Sequence, residues 1–112
     1  MIVDLAPKIE ELERDFQLSS DALASILGVN PHTVARWHSG TTPERRALRR
    51  LDALWSLRAR TWEMFSNREE IVQWLHAQSA YLGWLTPAEV LRAGRIDRVY
   101  ADLDGLAGGV YQ

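Results

Sequence analysis

Apolar residues recur along this chain at the three- and four-residue steps of an α-helix, and the breaks between the stripes carry helix start and stop signals. Leu5, Ile9, Leu12 and Phe16 form the first stripe, with Asp4 and Pro7 near its start. A second helix is predicted from Ser19 or Ser20 to Gly28, a residue suited to the left-handed position that closes a helix. Asn30-Pro31 restarts the chain with a capping side chain and a proline at the first helical position, and that helix ends at His38-Ser39-Gly40. Thr42-Pro43 repeats the start signal before a long helix with Ala47, Leu51, Leu54, Trp55, Trp62 and Phe65 on one side. Ser66 and Glu69 have the spacing of a capping box for a fifth helix through Trp74 and Leu75. Tyr81-Leu82-Gly83-Trp84-Leu85 reads as an apolar connector. Thr86-Pro87-Ala88-Glu89 is a stronger box, and it opens a short helix that Gly94 ends. Ile96, Val99, Tyr100, Leu103 and Leu106 mark a last amphipathic helix, followed by Gly108-Gly109-Val110-Tyr111-Gln112. No stretch alternates as a strand does. The pattern predicts an all-α chain of roughly seven helices, divided as 1–65 and 66–112.

Composition narrows the class. The chain has 112 residues, 46% of them hydrophobic and 25% charged, which excludes wholesale disorder and leaves room for one core. It has no cysteine, so disulfides and thiolate zinc sites are excluded. No apolar run reaches membrane-spanning length, and the charged N-terminus is unlike a signal peptide, so a cytoplasmic protein is expected. His32, His38 and His76 are too scattered for a metal motif. No phosphate loop or defensible carboxylate pair is present, and neither a cofactor nor enzyme activity is expected.

The net charge of −2 hides segregation. Residues 1–30 carry six acids and two bases, residues 31–60 seven arginines and two acids, and residues 61–112 four arginines and seven acids. A basic middle between acidic ends suits a polyanion-binding patch, or equally a solvated face laced with ion pairs.

That middle opens with the third helix, which follows the second across a short turn. Ala24 provides a small residue at a helix crossing, Gly28 the turn, and Leu23, Leu27, Val34 and Trp37 a shared core. The pattern resembles the Xre-type helix-turn-helix. In that use, His32, Thr33 and Arg36 would face base edges in the major groove and Asn30 a phosphate, while Arg45, Arg46, Arg49 and Arg50 would hold the DNA backbone. The same residues also suit a plain solvent-facing surface.

The last third is too apolar for a tail. Trp74-Leu75, Thr86-Pro87, Leu91, Gly94, Val99, Leu103 and the ending Gly109-Val110-Tyr111 resemble the C-terminal toxin-binding part of the Xre/MbcA/ParS-type antitoxins. Those antitoxins also place an Xre-like helix-turn-helix first, so the resemblance covers nearly the whole chain. It implies a RES-domain toxin, encoded by the adjacent gene, that consumes NAD. It further implies that Gly108, Gly109, Val110, Tyr111 and Gln112 enter or cover the toxin's active site, with Arg92, Arg95 and Arg98 as neighbours on the same face or as solvated helix ends. Operator DNA, and a homodimer or larger hetero-oligomer with toxin, complete the implied partners. The connector at 76–90 lacks the asparagine-proline and paired-glycine pattern of many relatives. Two alternatives stand beside this reading: a stand-alone Xre-type transcriptional regulator, and a toxin inhibitor whose helix-turn-helix is only an oligomerisation scaffold.

Overall fold

Side-chain caps mark the start of four of the helices among the described residues. The computed structural model describes residues 5–108, which form α1 (Ala6–Asp15), α2 (Ser20–Leu27), α3 (Pro31–His38), α4 (Arg45–Met64), α5 (Arg68–Leu75), a 3-10 turn (Ala80–Leu82), α6 (Pro87–Arg92) and α7 (Ile96–Ala107). The fold is all-α, and Ser79 and Leu85 make an isolated antiparallel bridge. Asp4 and residues 109–112, with the expectations placed on Gly109, Val110, Tyr111 and Gln112, lie outside the described residues.

Ser19 caps α2 by accepting from the Ala22 N–H at 3.0 Å, and Gly28 closes it in the left-handed conformation at φ 69°. Asn30 caps α3 by accepting from the His32 N–H at 2.8 Å. Thr86 and Glu89 form the full reciprocal box on α6. Two predicted starts are corrected. The long helix begins at Arg45 with Glu44 as its cap, not at Thr42-Pro43; Pro43 is buried, and the extended backbone runs on through Glu44 at ψ 161°. Proline also disfavours helix at the residue before it. On α5 the box sits one residue later than Ser66 and Glu69. Asn67 accepts from the Glu70 N–H at 2.9 Å, and the Glu70 carboxylate accepts from the Ser66 N–H at 2.7 Å.

One hydrophobic cluster runs from Ile9 to Leu103 and includes Leu23, Val34, Leu54, Ile71 and Val99, all closed to solvent. α2 packs on α3 and α6, while α4 packs on α1 and α7. The division at 65/66 falls between α4 and α5, and the core is continuous across it. Residues at the edges of the predicted stripes lie outside this core: Trp62 is 37% and Leu106 42% exposed. Trp55 is half-buried beneath the cations of Lys8 and Arg58, 5.3 and 4.5 Å from its ring centre.

Trp62 is held by a group that periodicity does not reveal. Asp15, 4% exposed, accepts from Arg58 Nε at 2.7 Å, Trp62 Nε1 at 3.1 Å and Arg68 Nη2 at 3.0 Å. Burial alone would raise its pKa. The hydrogen bonds from Arg58, Trp62 and Arg68, with the Arg58 charge, outweigh burial and hold the carboxyl below its ordinary value. This cluster joins the end of α1 to α4 and α5.

The turn between α2 and α3 depends on Gly28. An alanine there would adopt a left-handed conformation costing about 1–2 kcal/mol, and its Cβ would collide with the Arg50 guanidinium. Arg50 donates to the Leu27 carbonyl at 3.0 Å and so satisfies the end of α2. Gly28→Ala is expected to lower the unfolding free energy by about 1–3 kcal/mol in a urea titration. An unchanged midpoint would mean that the turn relaxes freely.

Candidate functional site

The predicted residues fall on two surfaces, and the first brings its members together. The first is the exposed side of α3 and the first turn of α4. His32 and Arg36 are exposed, Thr33 is half-buried, and Arg36 Nη2 donates to Thr33 Oγ1 at 3.3 Å. Thr33 and Arg36 line a shallow cleft of about 220 Å³ with Asn30, Trp37 and Glu44. Arg45, Arg46 and Arg49 are exposed on α4. Three facts bear on this surface. Asn30 Oδ1 caps α3, as its position before Pro31 predicts. Arg50 serves the Leu27 carbonyl and so does not join the other arginines as a backbone clamp. Glu44 brings a carboxylate into the cleft, so the face is basic but mixed. His38 lies apart, with Nε2 2.8 Å from Glu13 of α1.

The second surface is at the other end of the chain. Its predicted arginines do not share one lining. Arg95 is exposed and pairs with Asp97 at 3.0 Å; those hydrogen bonds raise the arginine pKa and lower that of the aspartate. Arg98 donates to the Tyr81 carbonyl at 3.3 Å and covers that ring. Arg92 borders a separate cavity of about 240 Å³ with Phe16, Leu18, Ile26 and His76. Gly108 caps α7 at φ −83°, a right-handed conformation open to any residue, so no glycine-specific turn occurs there.

The segment read as a connector is a small hairpin that buries Leu82 in the core and exposes its other apolar side chains. The Ser79 N–H donates to the Leu85 carbonyl at 3.0 Å, and Gly83 and Trp84 both take left-handed backbone, at φ 70° and 67°. Trp84 is 66% exposed, Leu85 46% and Tyr81 45%. A left-handed backbone is uncommon for tryptophan, and the exposed ring suits a contact surface better than a core. Ser79 Oγ donates to the buried Asp102 of α7 at 2.7 Å and fastens the hairpin to that helix.

Beside this hairpin, Trp74, Ser79, Tyr81, Pro87, Asp102 and Leu106 border a groove of about 320 Å³. The Trp74 indole N–H is buried and has no hydrogen-bond acceptor among the described residues. Sequence reading missed the groove, the exposed hairpin and both buried aspartates. The apolar run at 81–85 signalled the hairpin, but its direction was not legible.

Among the described residues, no group of three or more His, Asp or Glu could hold a metal ion, and no helix is long and apolar enough to cross a membrane. No family model matches the chain. It is 30% identical over 95 residues to the mycobacterial cidal antitoxin MbcA of Mycobacterium tuberculosis strain H37Rv, covering 84% of this chain and 83% of that protein. The MbcA of Mycobacterium bovis AF2122/97 matches equally. Its fold matches one chain of the crystal structure of the M. tuberculosis MbcT–MbcA toxin–antitoxin complex, with a TM-score of 0.72 and 27% identity over 99% of this chain and 100% of that one.

Proposed function

This chain belongs to the MbcA antitoxin family, and from that membership we propose that it neutralises a RES-domain toxin that consumes NAD and is encoded by the adjacent gene. The inhibitor acts by occupation of a site, without catalysis of its own. Its C-terminal end, residues 108–112, enters or covers the toxin's NAD cleft, with Arg92 and Arg95 at the edge of the contact. The exposed Tyr81, Trp84 and Leu85 supply apolar area for that partner. The complex is a hetero-oligomer, and it works in the cytoplasm.

The observation that carries this reading is the match over nearly the full chain to a protein seen in a toxin–antitoxin complex. Co-expression with the adjacent open reading frame, followed by an NAD-consumption assay, tests it. The two proteins should copurify, and NAD should be lost only when this chain is absent. A neighbour that leaves NAD intact would end the toxin reading.

A second activity is operator binding by α2 and α3 as a helix-turn-helix, with α3 in the major groove. It is supported by the exposed His32 and Arg36, and by Arg45, Arg46 and Arg49 beside them. Replacing Thr33 and Arg36 by alanine should weaken operator binding by about 1–3 kcal/mol for each base-edge interaction removed, with toxin neutralisation intact. Gel-shift titrations at two salt concentrations read both affinity and salt slope. If wild type shows no salt-sensitive binding, α2 and α3 are a scaffold.

A further inference from the structure

The groove beside α7 has the features of a peptide site. Its border combines the apolar side chains of Trp74, Tyr81, Pro87 and Leu106 with two polar groups, Ser79 and Asp102. Its volume of about 320 Å³ lies within the range of pockets that take small ligands, about 300–1,000 Å³. Trp74 supplies a buried indole N–H with no acceptor among the described residues, and such orphaned donors are costly enough to be rare. Asp102 supplies a buried carboxylate that accepts from Ser79 Oγ at 2.7 Å, and a carboxylate has about four lone-pair sites with which to accept. The unpaired donor and the acceptor with capacity to spare are both buried on residues that border the groove, and a small turn of the Trp74 ring would bring its N–H to the carbonyl of an extended backbone.

One segment of this chain starts at the groove. Leu106 is on its border, α7 is capped two residues later at Gly108, and Gly109-Val110-Tyr111-Gln112 follow. Four residues reach up to about 14 Å when extended, and glycine at 109 permits the chain to reverse beside the helix end. Val110 and Tyr111 then bring apolar surface, and each peptide brings the carbonyl that Trp74 lacks. We propose that in the free antitoxin residues 109–112 dock into this groove of their own chain, with a main-chain carbonyl accepting from Trp74 Nε1. Resting on the proposed inhibition through the tail, docking makes the groove a competitor of the toxin. Only the undocked fraction is competent, so toxin affinity is reduced by that fraction.

The docking is tested on free protein, without toxin. The five tryptophans give five indole N–H signals in a nitrogen–proton spectrum, and Trp74→Phe identifies the one of interest. In the full chain, Tyr111→Ala should displace the Trp74 signal, and Tyr111 ring protons should show cross-relaxation to Leu106 methyls. A Trp74 signal that coincides in the full chain and the Tyr111→Ala variant, with no Tyr111–Leu106 cross-relaxation, overturns the proposal. Cross-relaxation that appears only between differently labelled molecules also overturns it, in favour of a second copy as occupant. The effect on inhibition is read separately. Trp74→Phe, which keeps an aromatic ring and removes the donor, should bind toxin several-fold faster than wild type. Equal rates would reject the competition, while an absence of toxin binding in both proteins would reject the inhibitor reading and leave the docking result standing.

Discussion

Replacing Asp15 by asparagine is expected to lower the unfolding free energy by about 3 kcal/mol, the low end of what breaking a buried ion pair costs. The low end applies because Arg58 and Arg68 retain 20% and 43% side-chain exposure and can turn to water. Asparagine keeps the shape and one oxygen but directs an amide N–H2 toward donors that need acceptors. At about 4 °C per kcal/mol for a chain of this size, the melting temperature should fall by about 12 °C. The pH dependence follows from the sign of the shift. Asp15 has a lowered pKa in the folded state relative to its ordinary 3.8. Its contribution is therefore present above the unfolded value and is lost as pH falls through the folded one. The gap between wild type and Asp15→Asn should be full at neutral pH and shrink below about pH 4. Melts at both pH values check this. A gap below about 1 kcal/mol at pH 7 would show that solvent already does most of what Asp15 does.

Removing residues 108–112 should abolish toxin neutralisation and leave the helices in place. The deletion takes the Gly108 cap, whose N–H donates to the Asp104 carbonyl at 2.9 Å, so the last turn of α7 should fray. The buried anchors of that helix, Ile96, Val99, Asp102 and Leu103, lie upstream. Circular dichroism should therefore be nearly unchanged. If the tail fills the NAD cleft, its loss removes a hot spot worth at least about 2 kcal/mol, and inhibition should weaken by about thirtyfold or more. A titration of toxin NAD consumption reads this directly. A truncated protein that still protects at the same ratio would place the inhibitory contact elsewhere, with the hairpin around Trp84 as the next surface to alter.

Periodicity and capping chemistry made most of the architecture legible. Ile9, Leu12 and Phe16, Leu23 with Leu27, and Val99 with Leu103 are buried where helical spacing puts them. Gly28 takes the left-handed turn that its position suggests. The failures have local causes. Thr42-Pro43 carries a start signal, but Pro43 is buried and the helix waits until Arg45. Serine and asparagine both cap, so the neighbouring Ser66 and Asn67 could not be ranked from sequence. Asp15 sits in an acid-rich run that reads as a solvated face, and only the return of α4 and α5 brings Arg58 and Arg68 to it. Of the site residues, the exposure of His32 and Arg36 and the capping role of Asn30 could be inferred, whereas the distant bond of Arg50 to Leu27 required the tertiary fold.

The core that joins α1 to α4 and α4 to α7 also governs what happens while the chain is being made. Synthesis delivers α1–α4 first, and the apolar side of α4 that packs against α7 has no cover until that helix follows. At about 5–20 residues per second, the residues from the end of α4 to the end of α7 take about 2–9 s to appear. For that interval the nascent chain displays sticky surface, so chaperone capture and aggregation compete with folding. Slower translation through α5 and α6 is therefore expected to lengthen that exposure and lower the yield of folded protein.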